Sequence, residues 1–156
     1  MAAKKMAIIA TKGALDMAYP PLILASTAAA LGWEVQIFFT FYGLQLLRKE
    51  LDSIAISPLA NPAMPMPVPM PVIVSVLPGM QAMATSMMKA KMKKKGVASL
   101  EELRSICQES DVKFIACQMT VDLFDFEKSD FIDGIEYGGA ATFMKFAGET
   151  DVCLFI

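Results

Sequence analysis

From Ser53 to Met88 the chain carries no charged side chain, yet the same stretch holds seven prolines. A hydropathy window marks such a segment as membrane-spanning. The prolines rule out the helix that spanning requires. Five of them fall within Pro62-Ala63-Met64-Pro65-Met66-Pro67-Val68-Pro69-Met70-Pro71, and each removes a backbone donor and clashes with the preceding turn. An extended, polyproline-like arm at about 53–78 is the reading that remains. Exposed apolar arms mark interfaces, so a neighbouring subunit of a homo-oligomer is its favoured cover, with peripheral contact to a membrane surface as the other reading. Beyond it, Gly79 to Lys95 reads as a helix with Met80, Met83, Ala84 and Met87 on one face. Lys89, Lys91, Lys93, Lys94 and Lys95 gather toward its C-terminal end, where the macrodipole favours positive charge.

On either side of this arm, strands alternate with helices. Met6 to Ala10 is a short apolar run that ends in Thr11-Lys12-Gly13, a buried strand followed by a turn. Asp16 to Leu31 reads as a helix that Gly32 stops, and Pro20 and Pro21 must sit in or near its first turn to avoid a kink. Glu34 to Phe39, rich in β-branched and aromatic residues, is a second strand, and Phe41 to Leu51 reads as a short helix. Later, Ser99 to Gln108 opens with Ser99 three residues before Glu102, a capping-box pattern. Lys113 to Cys117 is a strand apolar on both faces, as a central parallel strand is. Short helices at Gln118 to Asp125 and Gly138 to Gly148 precede a last strand, Asp151 to Ile156. The 156 residues therefore read as one domain, 1–156, of α/β class: a mainly parallel sheet flanked by helices.

The chain contains no histidine, which removes Ser-His-Asp and Cys-His pairs and any zinc site built on imidazole. A net charge of −2 offers no nucleic-acid surface. Met64, Met66 and Met70 are thioethers of the kind that select Cu(I), but methionine is foremost an adaptable packing residue, so no metal is assigned. No phosphate-binding glycine motif occurs and no cofactor is expected. Three cysteines at wide spacing, with no CxxC, give neither a zinc ribbon nor a disulfide framework. With no signal-peptide pattern at the N-terminus, a reducing cytoplasm is the expected setting.

Among those cysteines, Cys117 closes an apolar strand just before Gln118-Met119-Thr120. In open α/β sheets, ligands bind beyond the carboxyl ends of the strands, and a thiol there faces the unpaired N–H groups of the next helix, which favour the thiolate. On position alone, this reading stands level with a structural thiol near the core. For Cys107, on the apolar face of its helix with Leu100, Leu103 and Ile106, and for Cys153, inside the last strand, packing is the stronger reading. Lys12 and Gly13, and Thr40, Tyr42 and Gly43, follow the first two strands and fall on the edge that carries Cys117. Lys12 there can stabilise an anionic sulfur, although a solvated turn lysine is the plainer reading. Tyr42 and Gln118 are further candidates to line a pocket. Gly138-Gly139 at a helix start can admit a backbone approach to a ligand.

Four blocks of the chain resemble the DsrE-like (DsrE/DsrF/DrsH-like) family in order and across nearly the whole length. They are Ala10-Thr11-Lys12-Gly13 with Leu15-Asp16-Met17-Ala18-Tyr19-Pro20-Pro21; Phe38-Phe39-Thr40-Phe41-Tyr42-Gly43; Phe114-Ile115-Ala116-Cys117-Gln118-Met119-Thr120; and Asp133-Gly134-Ile135-Glu136-Tyr137-Gly138-Gly139-Ala140-Ala141. The resemblance implies a DsrE-like fold of flavodoxin-type layout, assembled as an oligomer. It implies sulfur trafficking, by a sulfurtransferase or sulfur carrier in which a cysteine accepts sulfane sulfur as a persulfide and passes it on, with TusA-like carriers and rhodaneses as partners. The family's cysteine position falls on Cys117. Some relatives carry a membrane-associated segment, which corresponds here to Ser53 to Met88. Against these readings stand a non-catalytic oligomeric scaffold and a thiol-based redox sensor.

Overall fold

Strand β1 (Lys5–Ala10) is buried along almost its whole length, and an apolar strand of that kind belongs in the middle of a sheet covered on both faces. It lies second from one edge of a five-stranded sheet of order β4-β3-β2-β1-β5 in the computed structural model, which describes residues 2–156. The other strands are β2 (Glu34–Phe39), β3 (Lys113–Cys117), β4 (Glu136–Gly138) and β5 (Val152–Phe155), and every pairing is parallel. The expected α/β architecture is present, with one strand more than the sequence predicts. Strand β4 is only three residues long and stands at the edge, and its Gly138, which the sequence pattern assigns to the start of the next helix, closes the strand instead.

One face of the sheet presents Met6, Ile8, Val35, Ile37, Phe39, Phe114 and Ala116 to α1 (Leu15–Ala30) and α4 (Leu100–Glu109), where most of the core lies. The other face is covered by α6 (Ala140–Ala147) alone. Its Phe143 packs on Ala7, Phe38, Ile115 and Cys117, and its ring stacks on Phe38 at 5.0 Å. Helix α4 starts with the predicted capping box: the Glu102 N–H donates to Ser99 Oγ at 3.1 Å, and the Ser99 N–H donates to Glu102 Oε2 at 2.7 Å. Ser99→Ala is therefore expected to remove about 1 kcal/mol of stability. A thermal melt lowered by roughly 2–4 °C would show it.

Three local readings change. Pro20 and Pro21 lie in the second turn of α1, not the first, and leave the Asp16 and Met17 carbonyls without their i+4 donors. The helix persists because Ala18, Pro21, Leu22, Ala25 and Ala28 are buried against the sheet, so packing overrides propensity. Phe41–Leu47 is a 3₁₀ helix in place of the longer helix predicted. Buried Arg104 of α4 explains its end: Nη1 donates to Leu46 O at 2.9 Å and Arg48 O at 2.6 Å, and Arg48 then runs extended to bridge Phe131. In α3 (Met80–Lys94) the inward face is Met80, Ala84, Thr85 and Met88, whereas Met83 and Met87 are exposed.

The uncharged segment divides in two. Ile54, Ile56 and Leu59 are buried in the main core, and Ser57 is tied to the start of α1 through Asp16, whose carboxylate accepts from Ser57 N and Oγ, each at 2.7 Å. Farther along, around the single turn α2 (Val72–Ser75), Val68, Val72, Ile73, Val76 and Leu77 are exposed. Among the described residues, no helix is long and apolar enough to cross a membrane.

Candidate functional site

Cys117 is the last residue of β3 and the N-cap of the short helix α5 (Gln118–Leu123). Strand register sets its neighbours. On the β4 side it pairs with Gly138, and on the β2 side Phe39 pairs with Ala116, so Thr40 stands next to Cys117 one step farther on. The residue is only 5% exposed, resting on Phe38, Ile115 and Phe143.

Two hydroxyls meet at this point. Thr120, fully buried in the first turn of α5, has its Oγ1 3.2 Å from Thr40 Oγ1 and accepts the Phe41 N–H at 3.2 Å. Phe41 reaches that position with φ +48°, a left-handed conformation that a bulky residue adopts at a cost of order 1–3 kcal/mol. Burial pushes the Cys117 thiol up, but the Thr120 hydroxyl and N–H, the Thr40 hydroxyl and the Met119 N–H together outweigh it and hold the thiol below its ordinary value. The two backbone N–H groups lie toward the sulfur without closing a full N-cap bond. No lysine is among the groups that act on this sulfur.

The other cysteines differ sharply. Cys107 is wholly buried, its Sγ 3.4 Å from Leu22 O, and burial pushes its thiol up to about 11. Cys153, read from the sequence as a packing residue, is exposed, because β5 is an edge strand with alternate positions turned to solvent.

Of the remaining candidates, Lys12, Gly13 and Tyr42 line one shallow cleft of about 350 Å³ with Met17, Gln45 and Ser57. Cys117 and Gln118 lie outside it. Gln118 donates to Asp122 Oδ1 at 2.7 Å along the exposed side of α5. Tyr42, 65% exposed, stacks on Phe124 at 6.1 Å, and Phe41, Met119 and Leu123, close in sequence to Thr40 and Cys117, are exposed as well. A hollow of about 390 Å³ bounded by Tyr19, Lys89, Lys93 and Glu101 contains none of the candidates. Gly138 has its place beside Cys117 in the sheet, and Gly139 has open space around it. Among the described residues, no three metal-ligating side chains of the His, Cys, Asp or Glu type converge.

The model of the DsrE/DsrF/DrsH-like family matches residues 2–155. The chain belongs to that family. Sulfur carrier protein DsrE2 of Allochromatium vinosum is 68% identical over the full length of both chains. The uncharacterized protein YrkE of Bacillus subtilis is 34% identical, over 98% of this chain and 97% of its own. The crystal structure of the ychN protein from E. coli has the same fold, with a TM-score of 0.55 at 12% identity over 98% of this chain and 99% of that one. The sequence singles out Cys117 as a candidate and places Thr40 on its edge, but gives Thr120 no role. The signal was a threonine three residues after the cysteine, at N3 of the next helix, a place where a hydroxyl turns back toward the N-cap.

Proposed function

We propose that this chain is a sulfur carrier that holds sulfane sulfur on Cys117. The observation that carries the reading is the setting of that one thiol: in a chain without histidine, its sulfur alone is surrounded by hydroxyl and N–H donors that favour the thiolate. The full-length relative named as a sulfur carrier supports it. In the loading step the Cys117 thiolate attacks the outer sulfur of a donor persulfide, R–S–SH. A bond forms between Sγ and that sulfur, the R–S bond breaks, and the donor leaves as R–S⁻ with the electron pair. The proton travels with the transferred sulfur, and no external oxidant or reductant takes part.

In this reading Lys12, Gly13, Tyr42 and Gln118, with the exposed Phe41, Met119 and Leu123, form the rim that a partner meets, a TusA-like carrier or a rhodanese being the partner class. The setting is cytoplasmic, where thiols stay reduced. The exposed apolar residues of 62–78 pack on a neighbouring copy in a homo-oligomer. A monomer in solution that floats with liposomes would overturn that part.

The central test incubates reduced protein with polysulfide or a persulfidated carrier and maps added sulfur by mass spectrometry. The expected result is one or more sulfur atoms on the Cys117 peptide, lost on addition of an acceptor thiol protein. A Cys117 that gains no sulfur while remaining resistant to alkylation would sink the proposal.

A further inference from the structure

We propose that Thr40 and Thr120 form a shared-proton hydroxyl pair beside Cys117 that fills the place of the missing histidine and eases release of the carried sulfur, with the Phe41 N–H as its positioning group. A hydroxyl offers one proton and two acceptor sites. Thr120 Oγ1 takes the Phe41 N–H at one site and lies 3.2 Å from Thr40 Oγ1. One hydroxyl proton bridges the two oxygens. If Thr40 donates the bridge, both acceptor sites of Thr120 are filled and its own proton is free to turn to the sulfur. If Thr120 donates it, the Thr40 proton is free instead. Either arrangement leaves one hydroxyl proton free beside Cys117, which the strand register and the N-cap position place next to Thr40 and Thr120, and that proton is the one assigned to Sγ. Each thereby stabilises a thiolate without transferring the proton to it. In the first arrangement Thr40 also keeps an acceptor site open for the S–H of the uncharged thiol. Thr120 is fully buried and Thr40 half-buried, so water competes little for these bonds.

The consequence differs between the two directions of transfer. During release, an acceptor thiolate R–S⁻ attacks the outer sulfur of Cys117–S–SH. A new S–S bond forms in R–S–SH, the Sγ–S bond breaks, and Sγ departs with the electron pair as a thiolate. Stabilising that thiolate speeds release, because a better leaving thiol leaves faster. Loading gains only while the thiol is partly protonated. Once it is fully ionised, a stabilised thiolate is the weaker nucleophile. The pair therefore tilts the site toward giving sulfur away. This second half rests on the carrier reading; the effect on ionisation does not.

The test compares wild type with Thr120→Val, Thr120→Ser and Thr40→Val. The first readout is the pH dependence of iodoacetamide alkylation, followed on the Cys117 peptide by mass spectrometry, with circular dichroism melts checking the fold. Wild type is expected to titrate below an ordinary thiol, Thr120→Ser to match it, and both valine variants to titrate higher. The second readout is loading from polysulfide and release to a thiol acceptor above both titrations. Release from Thr120→Val is expected to slow by about tenfold, the worth of one hydrogen bond to a charged group, while loading stays level or rises. A general structural lesion slows both. Should Thr120→Val fail to fold, Thr40→Val carries the comparison. Valine variants that titrate as wild type, or Thr120→Ser behaving like Thr120→Val, overturn the pair and leave the carrier reading standing. A wild type that titrates low but takes up no sulfur overturns the carrier reading and leaves the effect on ionisation intact.

Discussion

Cys117→Ser is expected to abolish sulfur uptake, with the persulfide mass increment on the 113–117 strand peptide falling to background and no compensating signal on the other two cysteines. The reasons differ for each. Cys107 is buried, with its thiol pushed up to about 11, so at neutral pH its thiolate is scarce and out of reach. Cys153 is exposed but stands on β5, with β1 and β2 between it and β3, so no hydroxyl pair serves it. Cys107→Ser and Cys153→Ser should retain most transferable sulfur. A Cys117→Ser protein that still passes sulfur to an acceptor at near wild-type rate would place the chemistry elsewhere.

Gly43→Ala is the substitution expected to damage the fold most. A Cβ at Gly43 would fall 2.1 Å from Ala10 O and 2.8 Å from Ala10 C. Both are backbone atoms at the end of β1, in the fully packed middle of the sheet, and they cannot swing aside as a side chain can. The expected loss is about 3 kcal/mol or more, a melting temperature lower by roughly 6 °C or more. The Gly43 N–H also closes the turn onto Thr40 O at 3.0 Å, so surviving folded protein should show slower Cys117 alkylation at neutral pH. Gly13→Ala presses on the same junction from the other side, with Tyr42 O at 2.4 Å from the new Cβ. A wild-type melt for Gly43→Ala would show that this junction has slack absent from the structure.

The parts of the fold legible in the sequence were those whose signal is local. β1 and β3 are short apolar runs, β2 is rich in β-branched and aromatic residues, and α4 begins with a capping box that needs only Ser99 and Glu102. What the sequence hid depends on distant partners. The 3₁₀ helix at 41–47 ends where it does because Arg104, far along the chain, occupies its last carbonyls. Strand β4 exists because β3 offers it an edge, not because Glu136-Tyr137-Gly138 favours extension by itself. The site divides in the same way. A cysteine between an apolar strand and a helix start is a local pattern, whereas the contact between Thr40 and Thr120 joins residues 80 positions apart. No spacing along the chain announces it.

The register of β2 against β3 brings Thr40 beside Cys117, while the exposed aromatic and aliphatic side chains that follow them, Phe41, Tyr42, Met119 and Leu123, belong to the 3₁₀ helix and to α5. In the carrier reading, chemistry and recognition are therefore carried by separable parts. The ladder can slip only by whole residues, and a slip of one would turn every side chain of the strand to the opposite face, so the reactive pairing is inherited intact or lost. The exposed side chains of those two short helices are under no such constraint. Descendants of one ancestral chain can exchange the rim, and with it the protein they meet, while keeping the same sulfur chemistry beneath it. A chimera that exchanges only the exposed rim side chains between two family members would transplant partner choice and leave the thiol untouched.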